Sequence, residues 1–493
     1  MKALGVRIIC WVMIFSMLFT LNGCGRGTGS ENNAPVVHKK VNIITFRTNL
    51  FPEPTTLDPV KARTESEILL INCLYDTLFE KNGSSIKGRL AERWAYSEDG
   101  KELTIHLKKG VKFHNGRSLT AEDVEFSLKR AAGYFREQYP LYGIRFFDLG
   151  FNVFKENDYT LSITFSSPAF NFHEILTLPI FSIVNKEALE KNPEYGAPGD
   201  YFNPAAPVVG TGPYKFVEWV NGKFLTLASN ANYHGGKVSL ERLEFVFYDD
   251  LSVAAHDFVA HDLDVITLDY GNYSKILKEY PELKNSLKKF LTGNKYYLGF
   301  NLSSKIFGSP EIRDAVLNSL DTKKIQEDVM GSVKLLKEFG KGDKKEAKEI
   351  LDNLVHNSDN DENESSNNGT LRIVLGFTEG PVQNAIAESI KEQLEPLGIE
   401  VSVRSFPNDS ETRSFSDLYI LKQNFTLLNF VNENAEDAEK NDNKKLDSAE
   451  EENQILLPLA QEYNFYCVHN WIKFYVNRDT GTIDFFKMKK ILR

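Results

Sequence analysis

Residues able to do chemistry are plentiful in this chain, but they are not grouped for it. His173-Glu174 starts as a zinc-protease helix would, a ligand beside a general base, yet Thr177 stands where the second histidine is needed. His256 and His261 lie five apart, a poor metal pair on one helix face, and read as ordinary polar positions. No Gly-x-Ser-x-Gly elbow presents a nucleophile. Gly210-Thr211-Gly212 runs into Pro213 and a β-rich segment instead of a helix, so it is not a phosphate loop. The nine histidines are scattered, and Cys10, Cys24, Cys73 and Cys467 show no Cys-x-x-Cys or zinc-ligand spacing. Without an assembled acid, base and nucleophile, the chain is expected to be no enzyme and to need no cofactor or metal. Cys73 and Cys467 fit either one disulfide of an exported protein or two buried thiols.

The clearest chemistry lies at the start. Lys2 and Arg7 precede the apolar run Ile8 to Leu21, too short for a comfortable membrane span and of signal-peptide length. Leu21-Asn22-Gly23-Cys24 resembles a bacterial lipobox, which implies cleavage before Cys24 and acylation of its sulfur. An ordinary signal peptide that happens to contain a cysteine is the alternative. Residues 24–40, rich in Gly, Ser and Asn, read as a slack tether.

A length of 493 residues exceeds one hydrophobic core and implies two or three lobes. The net charge of −10, which leader removal makes more negative, argues against a phosphate-backbone partner, so no nucleic acid is expected.

The elements that would position a site follow from periodicity. Leu103, Ile105 and Leu107 alternate as one face of a strand. After the Asn115-Gly116 turn, Thr120 stands as a helix N-cap with Asp123 three residues on, and Val124, Leu128, Ala131 and Ala132 form the apolar face. Strands are expected over 41–48 and 159–165. Ser309-Pro310-Glu311 opens a helix buried through Ile312, Ala315, Val316 and Leu320, and a further helix is expected over 343–354. Leu371 to Phe377, Val382 to Leu394 and Ile399 to Phe406 form a strand–helix–strand unit with parallel pairing. Leu456 to Tyr475 alternates as a strand pair.

Several stretches are worded in a particular way: PTTLDPVKARTESEILLINCLYDTLFE, LAERWAYSEDGKELTIHLKKGVKFHNGRSLTAEDVEFSLKR, GTGPYKFVEW with ASNANYHGGKV, and KYYLGFN. Together they resemble the extracytoplasmic solute-binding proteins of the peptide/nickel class, family 5, which feed ABC importers. The resemblance implies an α/β fold of the periplasmic-binding-protein type (class II, cluster C), with two working lobes, an extra subdomain, and mixed sheets flanked by helices. It divides the chain into a leader 1–23, a tether 24–40, lobe I in parts 41–80, 208–299 and 464–493, a second lobe 81–207, and a closing lobe 300–463. It implies a lipid-anchored receptor on the extracytoplasmic side of the membrane, monomeric, that captures an oligopeptide or dipeptide and delivers it to ABC permease subunits. Nickel, haem or another small solute is the alternative, as is a degenerate member with a surface signalling or adhesion role.

The resemblance also places the ligand cleft near Arg63, Thr64 and Glu65, and lobe crossings at Gly210, Gly212 and Asn301. Solvated loop charge is the bland account of Arg63 and Glu65. Phe406 offers an aromatic wall, or is a core ring ending a strand. In well-known peptide binders a Trp and an acid follow the strand matching Asp417 to Leu421, and the acid pairs with the ligand's ammonium. Here that run is Lys422-Gln423-Asn424, with neither. Another ligand end, a substitute acid, or weak peptide binding would follow. Two acidic, Asn-rich stretches, 357–369 and 433–453, have the composition of loops.

Overall fold

The computed structural model describes residues 44–62, 64–82, 85–138, 150–192, 208–304, 306–329, 331–337, 344–358, 371–407, 409–424, 454–477 and 481–491. The leader, the tether with Cys24, Arg63, most of 194–209 and nearly all of both acidic stretches lie outside these residues.

The chain begins with strand β1 (Thr45–Asn49) and helix α1 (Glu65–Leu74), then a hairpin of β2 (Phe79–Asn82) and β3 (Ser85–Gly88). A four-stranded antiparallel sheet follows, in the order β4 (Ala91–Tyr96), β5 (Glu102–Leu107), β7 (Thr160–Thr164), β6 (Asn152–Asn157). Helix α2 (Ala121–Gln138) covers it. The alternating Leu103, Ile105 and Leu107 meet Val124, Leu128 and Ala131 in one buried cluster, as the two periodicities require. The expected cap is built differently. The Asp123 carboxylate accepts from both the N–H and the hydroxyl of Thr120, at 3.1 and 3.2 Å, because an ionised acceptor draws that hydroxyl more strongly than it is drawn to cap an amide.

Apart from a two-residue pair, Ile472–Lys473 against Lys489–Lys490, the remaining strands form one mixed sheet. Its order is β15 (Ile399–Phe406), β14 (Leu371–Thr378), β16 (Leu418–Asn424), β12 (Leu287–Asn301), β17 (Gln454–Val468), β11 (Val265–Leu268), β1, β10 (Arg242–Val246), β9 (Phe224–Ser229), β8 (Tyr214–Val220). A short β13 (Val333–Leu335) pairs with β17 off this path. The strand–helix–strand unit is present: β14 and β15 run parallel, from Leu371↔Ile399 to Thr378↔Phe406. Ser309 precedes the helix Pro310–Ser319 without capping it, its hydroxyl turned to the Glu311 carboxylate instead. Ile312, Ala315, Val316 and Leu320 are buried as their spacing demands.

β17 corrects the expected strand pair at 456–475. It is one strand of 15 residues, since no Gly, Asn-Gly or similar turn signal interrupts Leu456 to Val468, and the short strand after it, Ile472–Lys473, pairs with Lys489–Lys490 instead of with β17. It pairs along almost its whole length with the 15-residue β12. One end of this ribbon packs Phe465 and Cys467 with Leu251, Phe258 and Ile276. The other packs Leu298, Phe300, Leu459 and Ala460 with the helices of a different core. Between the two cores the ladder slips, at Leu291/Lys295 and again at Tyr296/Tyr297. Cys73 and Cys467 are buried free thiols in separate clusters, which decides the open alternative against a disulfide.

Candidate functional site

The worded stretches turn out to hold the fold together. Asp58 of the LDP run is buried, and Arg130 of α2 grips both its oxygens, at 2.8 and 2.6 Å. Asp76, fully buried just after α1, gathers a second set. Arg89 Nε lies 2.5 Å away, His234 Nε2 and Thr211 Oγ1 each 2.9 Å, and Tyr233 Oη 3.1 Å. Burial alone would raise the Asp76 carboxyl; the Arg89 charge and the His234 and Thr211 hydrogen bonds outweigh it and hold it well below the usual carboxylate range.

Gly210 and Gly212 stand in this knot for a different reason from the conformational one their position suggests. Neither has a positive φ. Each lies against the end of α1, where a Cβ on Gly212 would come within 2.5 Å of the Leu74 carbonyl carbon and one on Gly210 would strike the Leu74 oxygen. The Gly212 N–H donates to that same oxygen at 3.0 Å. Close backbone approach, not left-handed geometry, demands glycine here.

His114 closes the knot with both ring nitrogens engaged: Gly210 N–H donates to Nδ1 at 3.3 Å, and Nε2 donates to Gly212 O at 3.1 Å. Burial pushes it down to about 4, against the hydrogen bond to Gly212. A neutral folded histidine contributes stability that is full above its unfolded value, near 6.5, and is lost as pH falls toward 4. Between pH 7 and pH 4.5 the native chain should lose about 2 kcal/mol more than a His114→Gln variant, read from denaturant midpoints at both pH values.

A second polar cluster sits where the β12–β17 ribbon slips between its two cores. Register places Lys422 opposite Tyr296, and Asn424 opposite Asn294. Glu462 of β17 is saturated. Its Oε1 accepts from Tyr296 Oη at 2.8 Å and Lys422 Nζ at 3.3 Å; its Oε2 accepts from Asn294 Nδ2 at 2.8 Å and lies 2.9 Å from Lys422 Nζ. The same Asn294 amide donates to Glu65 Oε1 at 2.7 Å, so one neutral donor spans two carboxylates. Burial would lower Lys422, but Glu462 and Glu65 outweigh it and hold the ammonium charged. Glu65 is raised, first by its surroundings and then by Glu462, with Lys422 opposing. Yet the Glu65 side chain remains exposed to solvent.

Thr64 stands behind Glu65 as the cap of α1. Glu67 N–H donates to its hydroxyl at 3.2 Å, and its own N–H donates to the Glu67 carboxylate at 2.9 Å, a reciprocal box that fixes where Glu65 begins the helix. Glu67 also accepts from Thr55 N–H and hydroxyl, at 2.9 and 2.7 Å. Gln423 and Asn424 continue β16 beside Lys295 and Asn294. Phe406 ends β15, two strands from β16 and hence about 10 Å away. It stacks on Phe415 with centroids 6.1 Å apart, and Phe415 is 63% exposed. Asn301 ends β12, where its amide donates to Ser416 O at 3.1 Å and its Oδ1 accepts from Ser303 N–H at 3.0 Å. The structure thus brings Glu65 and Lys422 together and leaves Phe406 and Asn301 apart from them. Nothing in the sequence reading singles out Asn294 or Glu462, although Glu462 is the one charged residue of β17, and Tyr296 enters only as part of KYYLGFN.

Comparison with known proteins adds the following. The family model described as bacterial extracellular solute-binding proteins, family 5 Middle, matches residues 85–442. The oligopeptide-binding protein AppA of Bacillus subtilis is 26% identical over 375 residues, 71% of this chain and 67% of the relative. The heme-binding protein A of Haemophilus influenzae is 29% identical over 265 residues, 51% of this chain and 48% of its own. The chain therefore spans about half to two-thirds of the length of these relatives. Among solved structures, the Escherichia coli murein tripeptide binding protein MppA superposes with a TM-score of 0.67 at 18% identity, covering 92% of this chain and 99% of that one, a likeness of fold.

Proposed function

Because the chain belongs to the bacterial extracellular solute-binding proteins of family 5, we propose that it captures peptides in the cleft floored by Glu65, Lys422 and Glu462 and hands them to a membrane permease. The observation that carries this reading is the place of that cluster: charged, partly wet groups where the β12–β17 ribbon passes between two hydrophobic cores. A solute lying there touches elements of both cores, binds their approached arrangement better than the separated one, and shifts the population toward it. Most of the affinity for an extended peptide comes from main-chain hydrogen bonds, with side chains in tolerant, hydrated pockets. Thermal denaturation with short peptides tests the reading, since a ligand at a hundred times its Kd adds about 2.7 kcal/mol. A raised midpoint with peptides, and none with haem or nickel–histidine, is the expected pattern. No shift with any peptide of two to nine residues overturns it.

The anchor is the second part of the proposal. A lipid on Cys24 with the tether to residue 40 keeps the receptor within reach of its permease without fixing its orientation. Expressed in a bacterial host, Cys24→Ser should move the protein from the membrane fraction to the soluble extracytoplasmic fraction. A protein that stays on the membrane would refute the lipid.

A further inference from the structure

His256 and His261 are badly spaced to share a metal, but His261 has another histidine against it. It stands just past the helix Leu251–Val259, and His469 follows the end of β17, 208 positions along the chain. The facing ring nitrogens, His261 Nδ1 and His469 Nε2, are 3.4 Å apart. That is long for a hydrogen bond between nitrogens. Two metal–imidazole bonds of about 2.0–2.1 Å meeting at a tetrahedral angle, however, span roughly 3.3–3.4 Å. The two rings already stand one metal bite apart, about 20 Å along β17 from Glu462.

We infer that His261 and His469 form a surface site for a divalent transition-metal ion that takes imidazole ligands, Zn2+ or Cu2+, with water completing the coordination. Among the described residues no three His, Cys, Asp or Glu side chains gather as a ligand set, so this is an open two-histidine site and not a structural zinc centre. It lies away from the polar cluster of Glu65 and Lys422 and does not depend on peptide capture.

Both imidazoles are held in place by their surroundings. His469 is clamped between two aromatic faces, Phe258 at a centroid distance of 3.8 Å and Trp471 at 3.9 Å, the rings within 7° and 13° of parallel. Trp471 is fixed in turn, its indole N–H donating to the Asp264 carboxylate at 3.0 Å. His261 is exposed and has φ 68, the only positive φ outside glycine among the described residues. That is glycine's place at a helix end, and a side chain there costs roughly 1–2 kcal/mol. The strained backbone delivers the ring edgewise to His469 and Trp471, with centroids 4.8 and 5.2 Å away. Binding a metal asks little more. His469 Nε2 gives up its hydrogen bond to Phe258 O at 2.9 Å, and the neutral ring carries its one proton on Nδ1 instead. Phe258 O still accepts from His261 N–H at 3.0 Å, so that carbonyl is not orphaned.

The test is calorimetric titration of the mature protein with Zn2+ in a non-chelating buffer, with quenching of tryptophan fluorescence by Cu2+ as the second readout. Wild type should bind one Zn2+, and His261→Gly and His469→Ala should each weaken it by about 10-fold or more, one of two protein ligands having gone. His261→Gly is the decisive variant because it relieves the left-handed strain. Its denaturant midpoint should be at least as high as that of wild type while its metal affinity falls. His256→Ala removes a largely exposed histidine of the neighbouring helix and should bind as wild type does. Cu2+ should quench wild type saturably, and Trp471→Phe should lose most of that quenching while keeping its affinity for Zn2+. No binding to wild type, undiminished binding to His261→Gly, an equal loss in His256→Ala, or quenching that survives Trp471→Phe would each overturn the inference. All of these outcomes leave peptide capture standing.

Discussion

Asp76→Ala is expected to destabilise the chain by about 3–5 kcal/mol, visible as a large fall in the denaturant midpoint. The carboxylate is fully buried, and its removal leaves the Arg89 guanidinium, side chain 21% exposed, beside Tyr233 without the counter-charge it touches. Thr211→Val, by contrast, removes one neutral donor to the other oxygen of that carboxylate and should cost about 1 kcal/mol. The charge pair can be separated from the packing by a double-mutant cycle. Arg89→Met in the Asp76→Ala background should cost far less than Arg89→Met alone, because the unpaired charge has gone. Additive losses would show that the network works through shape and not through charge.

Gly210→Val should be as damaging, about 3 kcal/mol or more, by another route. Its Cβ would strike the Leu74 carbonyl oxygen and come within 2.8 Å of the Tyr75 ring. The Leu74 oxygen is backbone, and the buried Tyr75 ring is tied by its hydroxyl to Leu57 O at 3.0 Å, so neither moves aside easily. The nearby Gly222 sits in a turn at φ 66 with nothing near its absent Cβ, and Gly222→Ala makes the comparison. There the loss arises from left-handed strain alone and should stay near 1 kcal/mol. Equal midpoints for Gly210→Val and wild type would remove close approach as the reason for the glycine.

Much of the architecture was legible because it obeys short-range rules. Leu103, Ile105 and Leu107 alternate and are buried on one face. Val124, Leu128 and Ala131 recur at helical spacing and meet them. The parallel pairing of Leu371–Thr378 with Ile399–Phe406 follows from the helix between them. Caps were less legible. A Thr or Ser at the right place does not reveal that a neighbouring carboxylate will claim its hydroxyl, as Asp123 does for Thr120 and Glu311 for Ser309. Half of the polar cluster was legible, since Glu65 and Lys422 lie in segments that the resemblance singles out. The other half was not. Asn294, Glu462 and Asn464 reach the same place only through the pairing of two strands far apart in the chain, and single-sequence periodicity carries no register.

The slipped ribbon has a mechanical consequence. A two-stranded band gripped firmly at both ends and irregular in the middle concentrates bending in its middle, as a notched leaf spring does. Asn294 and Glu462 occupy that notch, where the ladder leaves them to side-chain bonds. Backbone amides at the slip should therefore exchange hydrogen sooner than those of either grip, an exchange measurement along β12 being the check.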